Sequence, residues 1–189
     1  MTSRHDMSLL HSLHRGVCCL LTVLLLSVSG HVMADETRIP EYRVKTAFLY
    51  NFSRFVTWPE ATMQDRTEFT LCVIGTDPFG TELDNLAGKA VQKQTLVIRR
   101  LSSLAMLDDC QLLYIGENTE PTEVLLLLRE QPVLTVSDAA GFIEEGGIIQ
   151  FMLIQNKVRF RINAGAANHA GLNISSKLLS LAISVTGGN

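Results

Sequence analysis

Past its first 34 residues the chain is poor in the side chains that most catalytic and metal sites use. One histidine, His169, and two cysteines, Cys72 and Cys110, remain there; the other four histidines and two cysteines all precede residue 35. A His/Cys zinc site cannot be assembled from so few ligands, and a Ser-His-Asp triad would have to take His169 as its base. No serine lies in a G-x-S-x-G elbow and no C-x-x-C pair occurs, so His169 reads as a surface or helix-end residue and neither a cofactor nor a metal is expected. Clustered positive charge is also missing. Lys and Arg number 16 against 19 Asp and Glu, and the one basic doublet, Arg99-Arg100, reads as a solvated strand end. Binding nucleic acid without sequence preference requires a patch of cations that displaces counterions, so nucleic acid is excluded as a partner.

Long apolar runs are scarce too. The run from Val17 to Val28 is shorter than the roughly 20 residues that span a bilayer. With Arg4 and Arg15 before it and small-residue spacing at Val32 and Ala34 after it, it has the plan of an export signal cleaved after Ala34. Cys18 and Cys19 open this apolar core, whereas a lipid-modified cysteine would follow it. The remainder, residues 35–189, suits one domain with a single sizeable core. In an oxidising compartment its lone cysteine pair favours a disulfide over a redox centre or a metal site.

Strand-like runs alternate with helical ones along this domain. Apolar residues at Val44, Phe48, Phe52, Phe55 and Val56, widened by Ala47 and Leu49, predict a helix from Glu41 to Trp58 that Pro59 stops. Strands are expected at Phe69–Gly75, Thr95–Arg100, Gln111–Gly116 and Pro132–Ser137, with helices at Pro78–Leu86, near Ser102–Leu107, and at Glu120–Glu130. This alternation predicts an α/β fold, a mostly parallel sheet with helices on both faces. The runs Gly147–Ile154 and Lys157–Ile162, separated only by Gln155-Asn156, predict an antiparallel hairpin and make the sheet mixed. A short helix over Ala164–Ala170 closed by Gly171, and a last helix capped by Ser175 and carrying Leu178, Leu179 and Ala182, complete the chain. In a doubly wound order the first strand lies between the second and third, which puts Cys72 and Cys110 on adjacent strands.

Gly75-Thr76-Asp77-Pro78-Phe79-Gly80 has the glycine spacing of a phosphate loop, but Thr81-Glu82 follows where a lysine is needed. Asp77-Pro78 reads as a helix N-cap and first-turn proline, although such a strand-to-helix corner is also where open α/β sheets bind small ligands; Thr76, Asp77, Phe79 and Gly80 are the candidate lining. The acidic pairs Asp108-Asp109 and Glu144-Glu145, together with Ser137-Asp138, read as solvated turns, since adjacent carboxylates point apart and no calcium-loop spacing is present.

Four segments in order resemble the YfiR family of bacterial periplasmic proteins. They are Tyr42–Phe52 leading to Phe55-Val56-Thr57-Trp58-Pro59; Leu71–Gly75 with Asp77–Gly80; Leu134–Asp138 with Gly141-Phe142; and Val158–Asn163 with Gly171–Leu179. The resemblance implies a non-enzymatic periplasmic repressor that binds the periplasmic sensor domain of an inner-membrane diguanylate cyclase (YfiN-like) and restrains cyclic di-GMP synthesis. An outer-membrane lipoprotein (YfiB-like) would sequester it. The resemblance also implies a homodimer and a Cys72–Cys110 disulfide. Some relatives carry a second cysteine pair in the hairpin region, and this chain has none between Gly146 and Asn163. Because the hairpin is expected to end the sheet with an exposed edge, Phe151, Arg161, Leu172 and Ile174 are the candidate partner contacts.

Overall fold

The first long helix, α1 (Arg38–Phe55), ends three residues earlier than its apolar pattern predicts, because Val56–Thr57 turns extended to form a short strand, β1. The structure is a computed structural model that describes residues 38–188, with side chains from Glu41; the export signal and its cleavage point lie outside the described residues. From Ile39 onward the chain is one domain. Glu41 in the first turn of α1 and Arg54 in the last complement the helix dipole. The buried side of α1 carries Leu49, Phe52 and Ser53, but at its beginning Lys45 and Thr46 face inward while Val44 and Ala47 face solvent.

Eight strands form the main sheet. In chain order they are β2 (Glu68–Ile74), β3 (Ala90–Val91), β4 (Gln94–Leu101), β5 (Leu112–Ile115), β6 (Leu134–Ser137), β7 (Ile149–Ile154), β8 (Lys157–Asn163) and β10 (Ser184–Thr186). A further short strand, β9 (Asn173–Ile174), pairs antiparallel with β1. The order across the sheet is β10-β8-β7-β6-β5-β2-β4-β3, parallel throughout except for the β3–β4 and β7–β8 pairs. The expected mixed, mostly parallel α/β sheet is therefore present, with β2 between β4 and β5. Cys72 on β2 and Cys110 just ahead of β5 form a disulfide with their Cα atoms 5.8 Å apart.

The hairpin turns at Gln155-Asn156, both in the left-handed region with φ of 49° and 58°, the conformation that a tight two-residue hairpin requires. The later helices are short: α2 (Glu60–Met63), α3 (Thr81–Asp84), α4 (Pro121–Leu127), α5 (Ala164–His169) and α6 (Ser176–Leu179), with a 3₁₀ segment, η1 (Leu104–Asp109). The Asn163 side chain accepts from the Ala166 amide to cap α5, and Ser175 accepts from Leu178 to cap α6. Of the helix expected over Pro78–Leu86 only α3 forms, and its cap position is Gly80. Asp77 instead accepts from the Phe79 amide in a turn, which replaces the expected N-cap role.

One face of the sheet is covered by α1, whose Phe48 and Phe52 rings lie 5.1 to 6.1 Å from Phe151 and Phe160 on the hairpin. The other face holds the disulfide together with Leu107, Leu113, Val124, Leu128 and Phe142, beneath η1 and α4.

Candidate interaction surface

The corner after β2 is closed. A Cβ at Gly116 would lie 2.1 Å from the Thr76 carbonyl oxygen, and one at Gly75 would lie 2.5 Å from the Glu117 carbonyl oxygen, so the two strand ends meet backbone to backbone. The Thr76 amide donates to the Glu117 carbonyl at 2.8 Å, and Asn118 Nδ2 donates to Thr76 Oγ1 at 2.9 Å. Phe79 is buried edge-on against Tyr114 and Tyr42. Asp77 binds Arg100 Nε at 2.6 Å, while the same guanidinium reaches Asp84 at 2.7 Å and donates to the Gly80 carbonyl. Thr76, Asp77, Phe79 and Gly80 are thus engaged with one another or with neighbours, and the point where a doubly wound sheet opens a crevice is filled by its own chain. Arg99 and Arg100 are ion-paired, Arg99 to Asp109, rather than simply solvated.

Above the same strand ends lies a polar cluster that the apolar periodicity hid. Lys45 is 3% exposed, and its ammonium pairs with both Glu41 and Asp138 while sitting 4.5 Å from the centre of the Tyr42 ring. Burial alone would lower the Lys45 pKa; the hydrogen bonds and charge of Asp138, with Glu41 adding to them, outweigh it and raise the pKa above its ordinary value. Asp138 is consequently not a solvated turn residue. The Tyr114 hydroxyl is pushed far above the ordinary phenol range by burial and by the negative charge of Asp138. Ser137, next to it, is buried and donates to the Ile115 carbonyl at 2.7 Å. No local pattern announces a pairing between positions 45 and 138; a lysine inside an apolar helical stripe was the available sign.

At the other end of the sheet the hairpin is not the edge. β10 pairs with β8, Ser184 lying opposite Arg161, and so covers the edge expected to be open. Phe151, Leu172 and Ile174 are buried: Phe151 packs on Phe48 and Phe52, and Ile174 pairs with Val56 in the β1–β9 ladder. Of the four candidate contacts only Arg161 reaches toward solvent, where it binds Glu144 at 2.9 Å and Ser184 Oγ at 3.1 Å. The Glu144 carboxyl is held below its usual range by its own backbone amide and by Arg161.

Exposed apolar surface lies one strand further out. Leu181, Ile183 and Val185 are 58%, 46% and 41% exposed, Leu181 in the turn that follows α6, Ile183 just ahead of β10 and Val185 on it, while Ala182 and Ser184 between them are half-buried. Leu153 and Ile154 at the hairpin tip are exposed as well. Three exposed apolar side chains so close together form a patch of the kind that partners cover, and the last strand of an open sheet also presents unpaired backbone groups. The residues 175–182 that the sequence reads as one helix hold it to Leu179 and continue as turns, the Ala182 amide donating to the Leu179 carbonyl.

Among the described residues no group of three or more His, Cys, Asp or Glu is placed to hold a metal ion, and no helix is long and apolar enough to cross a membrane. His169 ends α5, with Nδ1 2.9 Å from the Gly165 carbonyl oxygen.

These features define a mixed α/β domain with a filled ligand crevice and an apolar outer edge. Residues 42–183 match the family described as YfiR/HmsC-like, and the chain belongs to that family, one of periplasmic regulatory proteins of cyclic di-GMP signalling that work through partner proteins. A solved structure from Vibrio cholerae O1 biovar El Tor strain N16961, described as a conserved domain protein, is similar over 77% of this chain with 10% identity and a TM-score of 0.48. The aligned part makes up 60% of that protein's chain.

Proposed function

We propose that this protein is a periplasmic repressor that binds the sensor domain of an inner-membrane diguanylate cyclase (YfiN-like) and holds the enzyme inactive. Residues 1–34 direct export and are removed after Ala34, and the domain that follows acts by contact, without catalysis, as a homodimer. The observation that supports this reading best is the exposed apolar patch of Leu181, Ile183 and Val185, which leads into and along β10, the last strand of the sheet. An extended segment of the cyclase laid along β10 would satisfy that strand's free backbone groups and cover the patch. An outer-membrane lipoprotein (YfiB-like) competing for the same surface would free the cyclase. Arg161 lies opposite Ser184 beside this patch, whereas Phe151, Leu172 and Ile174 are core residues.

Deletion of the gene in a strain that expresses the cognate cyclase is expected to raise cellular cyclic di-GMP, and unchanged levels would refute repression. Complementation with Ile183→Asp/Val185→Asp is expected to fail although the protein accumulates normally, since exposed substitutions away from the core change stability by only about 0.5 kcal/mol. Full repression by that variant would remove the β10 edge from the contact.

A further inference from the structure

The sheet keeps its open space at the opposite end from the filled crevice. A groove of about 500 Å3 lies at the amino ends of β6 and β7, between α4 and α5. That volume is within the range of small-molecule sites, roughly 300 to 1,000 Å3. Its floor is apolar, with Leu125, Leu128, Ile148 and Ala170 among the side chains that line it, and its rim is polar.

Most of the rim is already committed. Thr122 donates to Glu145 Oε2 at 3.0 Å, so that carboxylate is partly satisfied. Asn163 caps α5 through Oδ1 and donates from Nδ2 to the Ile143 carbonyl. His169 keeps Nδ1 on the Gly165 carbonyl oxygen, and Nε2 has no partner among the described residues. Arg129 lines the groove and, like Arg54 and Arg159, meets no carboxylate among the described residues, whereas Arg43, Arg66, Arg99, Arg100 and Arg161 each do; Arg54 lies instead by the Tyr50 ring and Arg159 donates to the Val158 carbonyl. An unpaired guanidinium and a free imidazole nitrogen at the mouth of an apolar groove complement a ligand with an anionic head and an apolar body. The planar fork of arginine suits a carboxylate in particular.

We infer that the α4–α5 groove binds an amphipathic monocarboxylate, its carboxylate on Arg129 and its apolar body on the floor. The inference is independent of the β10 patch, and the two surfaces can be disabled separately.

Decanoate titrated into the isotopically labelled domain, followed by amide chemical shifts, tests it. Saturable shifts confined to amides around Leu125, Gly146 and Ala166 are expected, with a Kd below about 1 mM, the range reached by a ligand of this size at ordinary ligand efficiency. Arg129→Gln, an exposed change that leaves the fold intact, is expected to weaken binding about five- to tenfold, and decyltrimethylammonium, of equal chain length and opposite charge, is expected not to saturate these amides. The inference is overturned by an absence of saturation at these positions, by equal binding of the cationic surfactant, by an unchanged Kd in Arg129→Gln, or by shifts centred on Leu181–Val185 instead. Groove shifts that appear on raising protein concentration alone would assign the groove to a second copy of the chain and also overturn it.

Discussion

Lys45 is buried near the start of α1 while Val44 beside it is exposed, the reverse of what an amphipathic helix predicts from residue type. The exchange is stable because Glu41 and Asp138 both meet the ammonium. Removing the lysine would leave two carboxylates facing each other beside Tyr42 and Tyr114, and Lys45→Met is expected to destabilise the domain by roughly 2 to 4 kcal/mol in urea denaturation, less than a fully buried pair would because both acids retain some solvent. The pH dependence has a definite sign. Since the folded pKa of Lys45 lies above its unfolded value of 10.5, the stabilisation is complete below about pH 10.5 and is lost as pH rises beyond it. Alkaline titration of stability should therefore fall more steeply above that pH in the native protein than in Lys45→Met. Residue type alone misleads elsewhere for the same reason. Phe151, Leu172 and Ile174 are apolar whether they fill a core or an interface, and only the placement of α1 and β1 over them decides for the core.

At the scale of elements, patterns that close within a few residues were legible and patterns that close across the chain were not. The apolar runs of β2, β4, β5 and β6, the two-residue turn between β7 and β8, and the Asn163 and Ser175 caps all depend on neighbours in sequence. The strands β1, β3, β9 and β10 have only two or three residues each and exist because a distant partner pairs with them, so no local periodicity marks them. The alternation Leu181, Ile183, Val185 stands openly in the sequence, but the Ser175 cap draws it into a helix that ends sooner. The closed corner after β2 is likewise a matter of contact between elements. Gly116→Ala would drive a methyl into the Thr76 carbonyl, and a loss of about 2 to 3 kcal/mol is expected, read as a lower urea midpoint. An unchanged midpoint would show that the two strand ends can separate to open a crevice.

For the molecule as a whole, the disulfide joins adjacent strands across a sequence separation of 38 residues. Loop-closure entropy assigns such a link roughly 4 kcal/mol, an upper figure. For a domain of this size each kcal/mol shifts the thermal midpoint by about 2 to 4 °C, so reduction should lower the midpoint by up to about 8 to 16 °C. A midpoint insensitive to reductant would show that the bridge contributes nothing. Glu144–Arg161, exposed at the side of the sheet, is expected to add only a small stabilisation that is present above the ordinary carboxylate pKa of 4.5 and fades as pH falls through its lower folded value.

The β1–β9 ladder sets Val56 against Ile174, and the rings of Phe48 and Phe52 close on a hairpin about a hundred residues downstream. The opening helix meets Phe79 and Ala90 through Tyr42 and Tyr50, but its two central rings gain these partners only when nearly all of the chain has been made. The core is thus completed last by its own beginning, and a chain truncated ahead of Phe160 is left with Phe48 and Phe52 partly uncovered.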